Sequence, residues 1–326
     1  MEPRPDAEYI LPLKWSTDSG LKELCAYLAM LCRYLPVLVV DGSDEERFSA
    51  HARAFPPAVR HSRPKHPECL NGKVDGVLTG LDLTQTRYLV IADDDVRYTP
   101  VELSRILELL EEADIVRPQN FFPAPLRWHA KWDSARTLLN RAFGTDYPGT
   151  LAVRTEVLRR TNGYSGNVLF ENLELIRTVR AAGGREVKAN DLFVARLPCS
   201  TAHFFRQRVR QAYDDFAQPV RLAAELALLP VLLWCLRRPV RLPVIAAAAA
   251  AAAEYGRRRH NGTQVFGPTT PLWAPAWVTE RAACVWLAVA WRLRGGIPYS
   301  GSRLKTAAHS VRTLRRRLRA AGTPRT

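Results

Sequence analysis

The sequence predicts an α/β protein in which a mainly parallel sheet is covered by helices on both sides. Helical and strand-like patterns alternate in the N-terminal region, and acidic turns follow two of the strand-like segments. After about residue 219 the sequence becomes apolar and basic, which predicts a separate helical region. A chain of 326 residues with 47% apolar residues has room for one large or two modest domains. This composition excludes disordered and fibrous proteins.

The first predicted elements are a helix and a strand. Apolar residues recur at helical spacing from Leu21 to Leu35, after polar residues that suit a helix start. A short β-branched run at residues 37–40 then ends in Asp41-Gly42-Ser43. This pattern predicts a strand whose carboxyl end carries Asp41.

The alternation continues through the next part of the chain. A helix is predicted after Asn71-Gly72-Lys73, and a strand at residues 88–91 leads into Asp93-Asp94-Asp95. A helix at residues 100–112 and a strand at residues 115–116 follow. In parallel sheets, ligands bind at the carboxyl ends of the strands, where both acidic turns are expected.

Three apolar runs dominate the C-terminal region, at residues 222–236, 242–253 and 282–291. Each is shorter than the roughly 20 residues needed to cross a bilayer. Their flanks are rich in Arg and Trp, which favours helices at the headgroup layer. Interfacial or re-entrant helices are favoured over a two-pass anchor, with buried helices of a soluble core as the alternative. The predicted domains are therefore residues 1–215 and a membrane-associated region at residues 216–326.

The net charge of +15 is unevenly distributed. Residues 201–326 contain 21 Lys and Arg against 5 Asp and Glu, whereas residues 1–200 contain 26 against 27. A near-neutral domain with a basic, apolar appendage is atypical of a nucleic-acid binder, so no nucleic-acid partner is predicted. The basic stretch at residues 303–319 suits anionic lipid, and a solvated charged helix is its alternative.

The triplet Asp93-Asp94-Asp95 is the first indication of chemistry. Mg²⁺ or Mn²⁺ is normally held by one or two carboxylates together with phosphate oxygens. An acidic turn after a buried strand therefore predicts a metal site that binds a nucleotide diphosphate. Acidic turns also occur simply because they solvate a loop or cap a helix, so the triplet alone does not decide.

The order of the motifs is more specific than any one of them. Asp41-Gly42-Ser43, Asn71-Gly72-Lys73 and the acidic triplet are followed by Glu171-Asn172 and Gln207-Arg208-Val209-Arg210. Over about residues 9–215 this series resembles the family-2 glycosyltransferases, particularly the membrane-associated branch with ceramide glucosyltransferases and polysaccharide synthases. The resemblance implies a Rossmann-like GT-A fold and an inverting hexosyltransferase. It also implies a UDP- or GDP-type nucleotide-sugar donor with Mg²⁺ or Mn²⁺.

The resemblance also implies roles for individual residues. Asp41 would contact the nucleotide base, Lys73 a phosphate, and Asp93 the ribose or the metal. Asp95 would be the main metal ligand. Gln207 and Arg210 match a motif that binds the donor or acceptor, although Gln211 stands where that motif has Trp. Without this stacking platform, addition of a single sugar is predicted rather than processive synthesis.

Glu171-Asn172 departs from the family pattern, which has Glu-Asp at this point. The family's Asp is taken as the general base, and Asn172 has no basic carboxylate. Glu171 is the predicted catalytic base, with Glu174 one helical turn further as an alternative. An acceptor that is already ionised, such as a polyprenyl phosphate, would need no base. A non-catalytic, membrane-bound nucleotide-binding scaffold is the alternative outside enzyme classes.

Together these features predict transfer of one sugar to a lipid or lipid-linked saccharide acceptor at the cell membrane. The membrane surface is thus a predicted partner, and the catalytic domain is expected on the cytoplasmic side.

Overall fold

The central element of the fold is an eight-stranded mixed sheet in the computed structural model, which describes residues 1–144, 146–299 and 301–322. The strands are β1 (Ala7–Leu13), β2 (Val37–Asp41), β3 (Val59–Ser62), β4 (Tyr88–Ala92), β5 (Val96–Arg97), β6 (Ile115–Phe121), β7 (Thr150–Arg154) and β8 (Glu186–Arg196). They lie in the order β3-β2-β1-β4-β7-β6-β8-β5. The four strands from β3 to β4 are parallel, and β7 is antiparallel to both β4 and β6. The predicted α/β class with a mixed, mainly parallel, Rossmann-like sheet is confirmed.

Helices connect and flank these strands. They are α1 (Leu21–Leu31), α2 (Glu45–Ala54), α3 (Gly72–Leu83), α4 (Pro100–Glu111), α5 (Trp128–Phe143), α6 (Thr155–Arg160), α7 (Glu171–Ala181), α8 (Thr201–Tyr213), α9 (Pro219–Leu236), α10 (Arg241–Arg258), α11 (Ala274–Leu293) and α12 (Val311–Ala320). A hairpin of β9 (Ile297–Tyr299) and β10 (Ser302–Leu304) follows α11.

Local sequence explains why the elements around the site form where they do. Every residue of β2 and β4 is buried, as expected for parallel strands covered on both faces. The α4 helix starts with a capping box between Thr99 and Glu102 and has Pro100 in its first turn. Its Leu103 and Leu107 are fully buried in the hydrophobic core.

The strand β1 is an element that the sequence did not predict. It lies in the middle of the sheet, paired in parallel with both β2 and β4. Pro5 and Pro12 lie at the two ends of an otherwise strand-like segment. Because proline is disfavoured in central strands, the sequence pattern does not predict a strand here. Pro12 still occupies a ladder position, opposite Val40.

The protein divides into two compact units, each made of separate chain segments. The first comprises residues 1–118, 148–194 and 309–326, and the second comprises residues 119–147 and 195–308. This division differs from the predicted boundary at residue 215. Within the second unit, α5 packs against α10 and α11, whereas α12 packs against α7 within the first. The second unit thus contains a mid-chain segment, and the first contains the C-terminal segment. A single boundary drawn on composition does not anticipate this arrangement.

The second unit contains an apolar helix that could cross a membrane. Within the described residues α9 alone is long and apolar enough, and only 11% of its 18-residue span is buried. Its length of about 27 Å is close to the roughly 30 Å of a bilayer core. Length and composition are weak indications of a span, but the low burial is atypical of a helix inside a soluble core.

A buried ion cluster fixes α9 and α11 within the second unit. Arg281 is fully buried, with Nη1 lying 3.0 Å from Asp215 Oδ2 and 3.5 Å from Glu225 Oε2. Arg221 Nε lies 2.9 Å from Asp215 Oδ1 and 2.9 Å from Glu225 Oε1. Burial raises the pKa of Asp215 well above its ordinary value, even though Arg221 and Arg281 act in the opposite direction. Glu225, the single acid of the apolar helix α9, is therefore buried and paired with Arg221 and Arg281.

The close crossing of α5 and α10 depends on Gly256. A Cβ at this position would lie 1.9 Å from the Leu138 carbonyl oxygen and 2.9 Å from the Ala142 nitrogen. We expect Gly256→Ala to reduce the unfolding free energy by about 1–3 kcal/mol, because the backbone of α5 must move. Thermal unfolding of the purified chain measures this effect.

Gly72→Ala is the matched control for Gly256. Its Cβ would have no neighbour within 4 Å, so we expect stability to be unchanged or slightly increased. Equal unfolding temperatures for the Gly256→Ala variant and the parent chain would contradict the close helix crossing.

Candidate active site

Asp41 ends β2 as a fully buried carboxylate surrounded by hydrogen-bond donors. Its Oδ1 accepts from the Ser43 backbone N–H at 2.9 Å. Its Oδ2 lies 2.6 Å from His51 Nδ1 and 3.2 Å from His61 Nε2. Burial opposes ionisation, but the hydrogen bonds from His61, Ser43 and His51 together lower the pKa of Asp41 well below its ordinary value. The two histidines, on α2 and β3, were not predicted, because nothing in their local sequence indicates that they meet Asp41.

The principal cluster of the first unit forms around Lys73 on the first turn of α3. Lys73 Nζ lies 2.5 Å from Asp93 Oδ1 and 2.9 Å from Glu171 Oε1. It also donates to Asn172 Oδ1 at 3.2 Å. Burial acts to lower the pKa of Lys73, but the charges of Asp93 and Glu171 outweigh it and raise that pKa above its ordinary value. The structure thus brings together three of the predicted site residues: Lys73, Asp93 and Glu171.

Backbone hydrogen bonds shape the turn that carries the acidic triplet. The Asp93 N–H donates to the Gly149 carbonyl at 2.8 Å, and the Val96 N–H donates back to the Asp93 carbonyl at 3.1 Å. Asp94 accepts a hydrogen bond from Trp15 Nε1, and its backbone carbonyl accepts from Arg97. The middle acid of the triplet is therefore engaged in shaping the turn, and Asp93 and Asp95 flank it, half-buried.

Asn172 connects the start of α7 to two other segments. Its Nδ2 donates to the Pro148 carbonyl at 2.9 Å while its Oδ1 accepts from Lys73. The residue is 7% exposed. An amide can make both contacts, whereas an ionised carboxylate has no N–H for the Pro148 carbonyl. This geometry gives a physical reason for Asn at a position where the family usually has Asp.

Glu174, the alternative base, is bound to His309 in the C-terminal segment of the same unit. It is fully buried, and its two carboxylate oxygens lie 2.7 Å from the His309 backbone N and 2.7 Å from His309 Nδ1. Arg177 donates to the His309 carbonyl at 3.0 Å. Glu174 therefore anchors the segment that leads into α12, and this contact disfavours it as a base.

Replacing Asn172 by Asp tests the dual hydrogen bond. We expect Asn172→Asp to reduce the unfolding free energy by about 1–3 kcal/mol, since the Pro148 carbonyl loses its donor and faces a carboxylate instead. Urea unfolding at pH 7 measures the loss. Asn167→Asp is the control, because its Oδ1 only accepts, from the Leu70 N–H at 3.2 Å, and Asp retains that contact. A loss for Asn172→Asp no larger than for Asn167→Asp would contradict the assignment.

Gln207 and Arg210 lie on α8 in the second unit. Gln207 contacts His203 one turn earlier, and the Arg210 guanidinium lies 4.6 Å from the centre of the Tyr299 ring. Between them, Arg208 is buried and binds Asp133 Oδ1 at 3.2 Å. The motif thus contains one arginine that fixes α8 to α5 and one that packs on the β9 strand. The donor-binding roles of Gln207 and Arg210 stay predictions.

The carboxylates of the acidic turn fit a hard divalent cation. In the part of the chain that the structure describes, no three His, Cys, Asp or Glu side chains are grouped to hold an ion. Mg²⁺ and similar ions are usually bound by one or two carboxylates plus phosphate oxygens, without a cage made only of protein ligands. Asp93 and Asp95 at a strand end supply that number of carboxylates.

Comparison with known proteins identifies the chain. An α/β fold with a mixed sheet and an acidic turn at the end of β4 is typical of the GT-A class of glycosyltransferases. Residues 25–165 match the model of glycosyl transferase family 2. The predicted resemblance to family 2 is confirmed over these residues, and the match indicates a glycosyltransferase. The likeness to the membrane-associated branch of the family stays a prediction.

Solved structures resemble the chain at low sequence identity, and the first of them shares its fold. A mannosyltransferase from Pyrobaculum calidifontis, in complex with GDP-Man and Mn²⁺, is 19% identical over 87% of both chains, with a TM-score of 0.50. Glucosyl-3-phosphoglycerate synthase from Mycobacterium tuberculosis, in complex with Mn²⁺, UDP and phosphoglyceric acid, is 18% identical. That match covers 61% of this chain and 73% of the other, with a TM-score of 0.42. No curated protein sequence matches the chain significantly.

Proposed function

We propose that the protein is an inverting hexosyltransferase that moves one sugar from a nucleotide-sugar donor to a lipid or lipid-linked saccharide at a membrane surface. The observation that carries this proposal is the cluster of Lys73, Asp93 and Glu171. Asp93, a candidate metal ligand, and Glu171, a candidate base, both lie within 3 Å of the ammonium group of Lys73, which is the candidate phosphate contact. An inverting transfer needs these three functions at one place.

The donor is proposed to be a UDP- or GDP-type sugar bound with Mg²⁺ or Mn²⁺. Asp95, together with Asp93, would hold the cation, which when bound supplies positive charge to the diphosphate leaving group. The sequence resemblance puts Asp41 at the base, but Asp41 is fully buried and both its oxygens are bound. We therefore propose that it shapes the base pocket at the carboxyl end of β2 through Ser43, His51 and His61, without contacting the base directly. The Mn²⁺ and GDP-Man of the Pyrobaculum calidifontis enzyme are compatible with such a donor.

Glu171 is proposed as the general base. It begins α7, and Lys73 holds its Oε1 at 2.9 Å, which fixes the carboxylate in one place. Asn172 cannot accept a proton at neutral pH, and Glu174 is bound to His309. Glu171 is thus the acid of this segment that remains suited to take the proton of an acceptor hydroxyl.

A lipid acceptor is supported by the surface chemistry of the C-terminal helices. In the second unit α9 exposes Leu233, Trp234 and Leu236, each more than half accessible. In the first unit α12 is basic and amphipathic, with Leu314 buried and five exposed arginines. Exposed apolar side chains and exposed arginines each suit the interface of an anionic membrane. We therefore propose that the protein acts at the cell membrane with its catalytic domain on the cytoplasmic side.

A polyprenyl phosphate is the second candidate acceptor, favoured by Asn172. A phosphate oxygen is already ionised at neutral pH and attacks without a base, so the missing Asp would cost nothing. The two acceptors predict different behaviour of Glu171→Gln. With a hydroxyl acceptor, transfer falls by about 10²–10⁴-fold, whereas with a phosphate acceptor it is nearly unchanged.

The experiment measures radiolabelled sugar transferred from UDP- and GDP-sugars into the organic phase of a membrane extract. The parent chain and the Glu171→Gln and Glu174→Gln variants are compared at equal folded concentration. Label in the organic phase supports the proposal, and a loss confined to Glu171→Gln supports the hydroxyl acceptor. Label found only as free sugar would contradict a lipid acceptor. Donor binding without any turnover would favour the scaffold alternative.

A further inference from the structure

The second unit contains an apolar groove between α9, α10 and α11. Its volume is about 540 Å³, within the usual range for small-ligand sites. Leucines of α9 and alanines of α10 form much of the lining, and Thr279 is its one polar side chain among the described residues. From Leu229 to Leu236 the α9 wall extends for about 10 Å. Such a groove offers contact to hydrocarbon but almost no hydrogen bonds to a sugar or a peptide backbone.

One end of the groove carries concentrated positive charge. Its lining reaches Leu236, the last residue of α9, and Leu242, the second residue of α10. The turn between them contains Arg237 and Arg238, which are exposed and have no carboxylate partner in the described parts of the chain. Arg241 lies against Trp234, 3.6 Å from its ring centre. Apolar walls that end in unpaired arginines are complementary to a hydrocarbon chain that ends in an anion.

We propose that this groove binds one hydrocarbon chain of an anionic membrane lipid, whose phosphate lies on Arg237 and Arg238. Hydrophobic burial holds the chain, and the guanidinium groups pair with the phosphate. The exposed Val240 and Val244 lie beside the same turn and would enter the membrane interface. None of its lining residues belongs to the Lys73 cluster, so the groove would give the protein a lipid specificity of its own.

Charge also argues against a second copy of the chain as the occupant. A symmetric dimer through this face would bring the same surface of both copies together. Arg237 and Arg238 of one copy would then meet the same arginines of the other, without a carboxylate between them. An anionic lipid neutralises these charges instead.

The test is a calorimetric titration of the full-length chain with lysophosphatidylglycerol below its critical micelle concentration. Lysophosphatidylcholine, which is neutral overall, is the comparison probe. Ala246→Phe/Ala249→Phe fills the groove, and Arg237→Gln/Arg238→Gln removes the charge. Ala248→Phe, on an exposed face of the same alanine run, controls for added volume. Arg315→Gln/Arg316→Gln on α12 controls for lost charge.

We expect saturable binding of the anionic probe by the parent chain and by both controls. The groove-filling variant is expected to raise Kd at least tenfold, and the arginine variant about fivefold with a weaker salt dependence. Equal binding of the two probes, or unchanged binding by both test variants, would overturn the proposal. A dimer in light scattering that the groove-filling variant dissociates would also overturn it. Because no nucleotide-sugar is present, this result is independent of whether sugar transfer is observed.

Discussion

Replacing Asp95 by Asn is expected to reduce sugar transfer by about 10³-fold, since charge stabilisation of the leaving diphosphate is worth several kcal/mol. Asp95 is chosen over Asp93 because Asp93 Oδ1 also binds Lys73 Nζ at 2.5 Å. A change at Asp93 would disturb Lys73 and Glu171 as well. The initial rate of transfer as a function of Mn²⁺ concentration measures the effect, and a higher Mn²⁺ requirement should accompany the lower rate.

Asp94→Asn is the matched control within the same turn. Asp94 accepts a hydrogen bond from Trp15 Nε1, and an asparagine oxygen can accept it equally. We expect its transfer rate to stay within a few-fold of the parent rate. A similar loss for both variants would show that the effect comes from the shape of the turn and would contradict a ligand role for Asp95.

The largest expected loss of stability is that of Arg281→Met in the second unit. Removing one partner from a buried ion cluster costs about 3–5 kcal/mol, because uncompensated charge stays buried. Among the described residues, Asp215 and Glu225 would then have Arg221 as their one cationic partner, and it binds one oxygen of each. Urea unfolding at pH 8 measures the loss.

The pH dependence of this variant provides a second readout. The pKa of Asp215 is raised in the folded state. At pH values above the ordinary carboxyl pKa, folding therefore takes up a proton, and the contribution of Asp215 to stability falls as pH rises. Loss of Arg281 raises this pKa further, and we therefore expect a smaller defect at pH 5 than at pH 8. Arg258→Met is the control, since Arg258 is 72% exposed in its pair with Glu254 and should cost at most about 1 kcal/mol. Equal losses in the two variants would contradict a buried cluster.

The fold was predictable where the pattern is local. The buried runs of β2 and β4, and the cap and proline that start α4, can be recognised within a few residues of sequence. The strand β1 could not be recognised in this way, because prolines obscure a segment whose burial comes from its neighbours on both sides. The two compact units were equally inaccessible, because α12 and α5 pack against helices far away in the chain.

The candidate site was predictable as a set of residue types but not as a set of contacts. Asp41, Lys73 and Asp93 can be proposed from the sequence because each lies at a strand end or a helix start in a recognisable order. The pairing of Lys73 with Glu171 joins positions 98 residues apart. The contact of Glu174 with His309 spans 135 residues. Such pairings depend on the path of the folded chain, and a single sequence contains no local trace of them.

The most direct test of a nucleotide-sugar glycosyltransferase is turnover of the donor itself. UDP-, GDP- and dTDP-sugars are incubated with the full-length chain and Mn²⁺ or Mg²⁺, with and without membrane extract, and the released nucleoside diphosphate is measured. We expect metal-dependent turnover of a UDP- or GDP-sugar that the extract stimulates and that Asp95→Asn reduces by about 10³-fold. If the chain neither turns over nor binds any of these donors, the proposed reaction is contradicted.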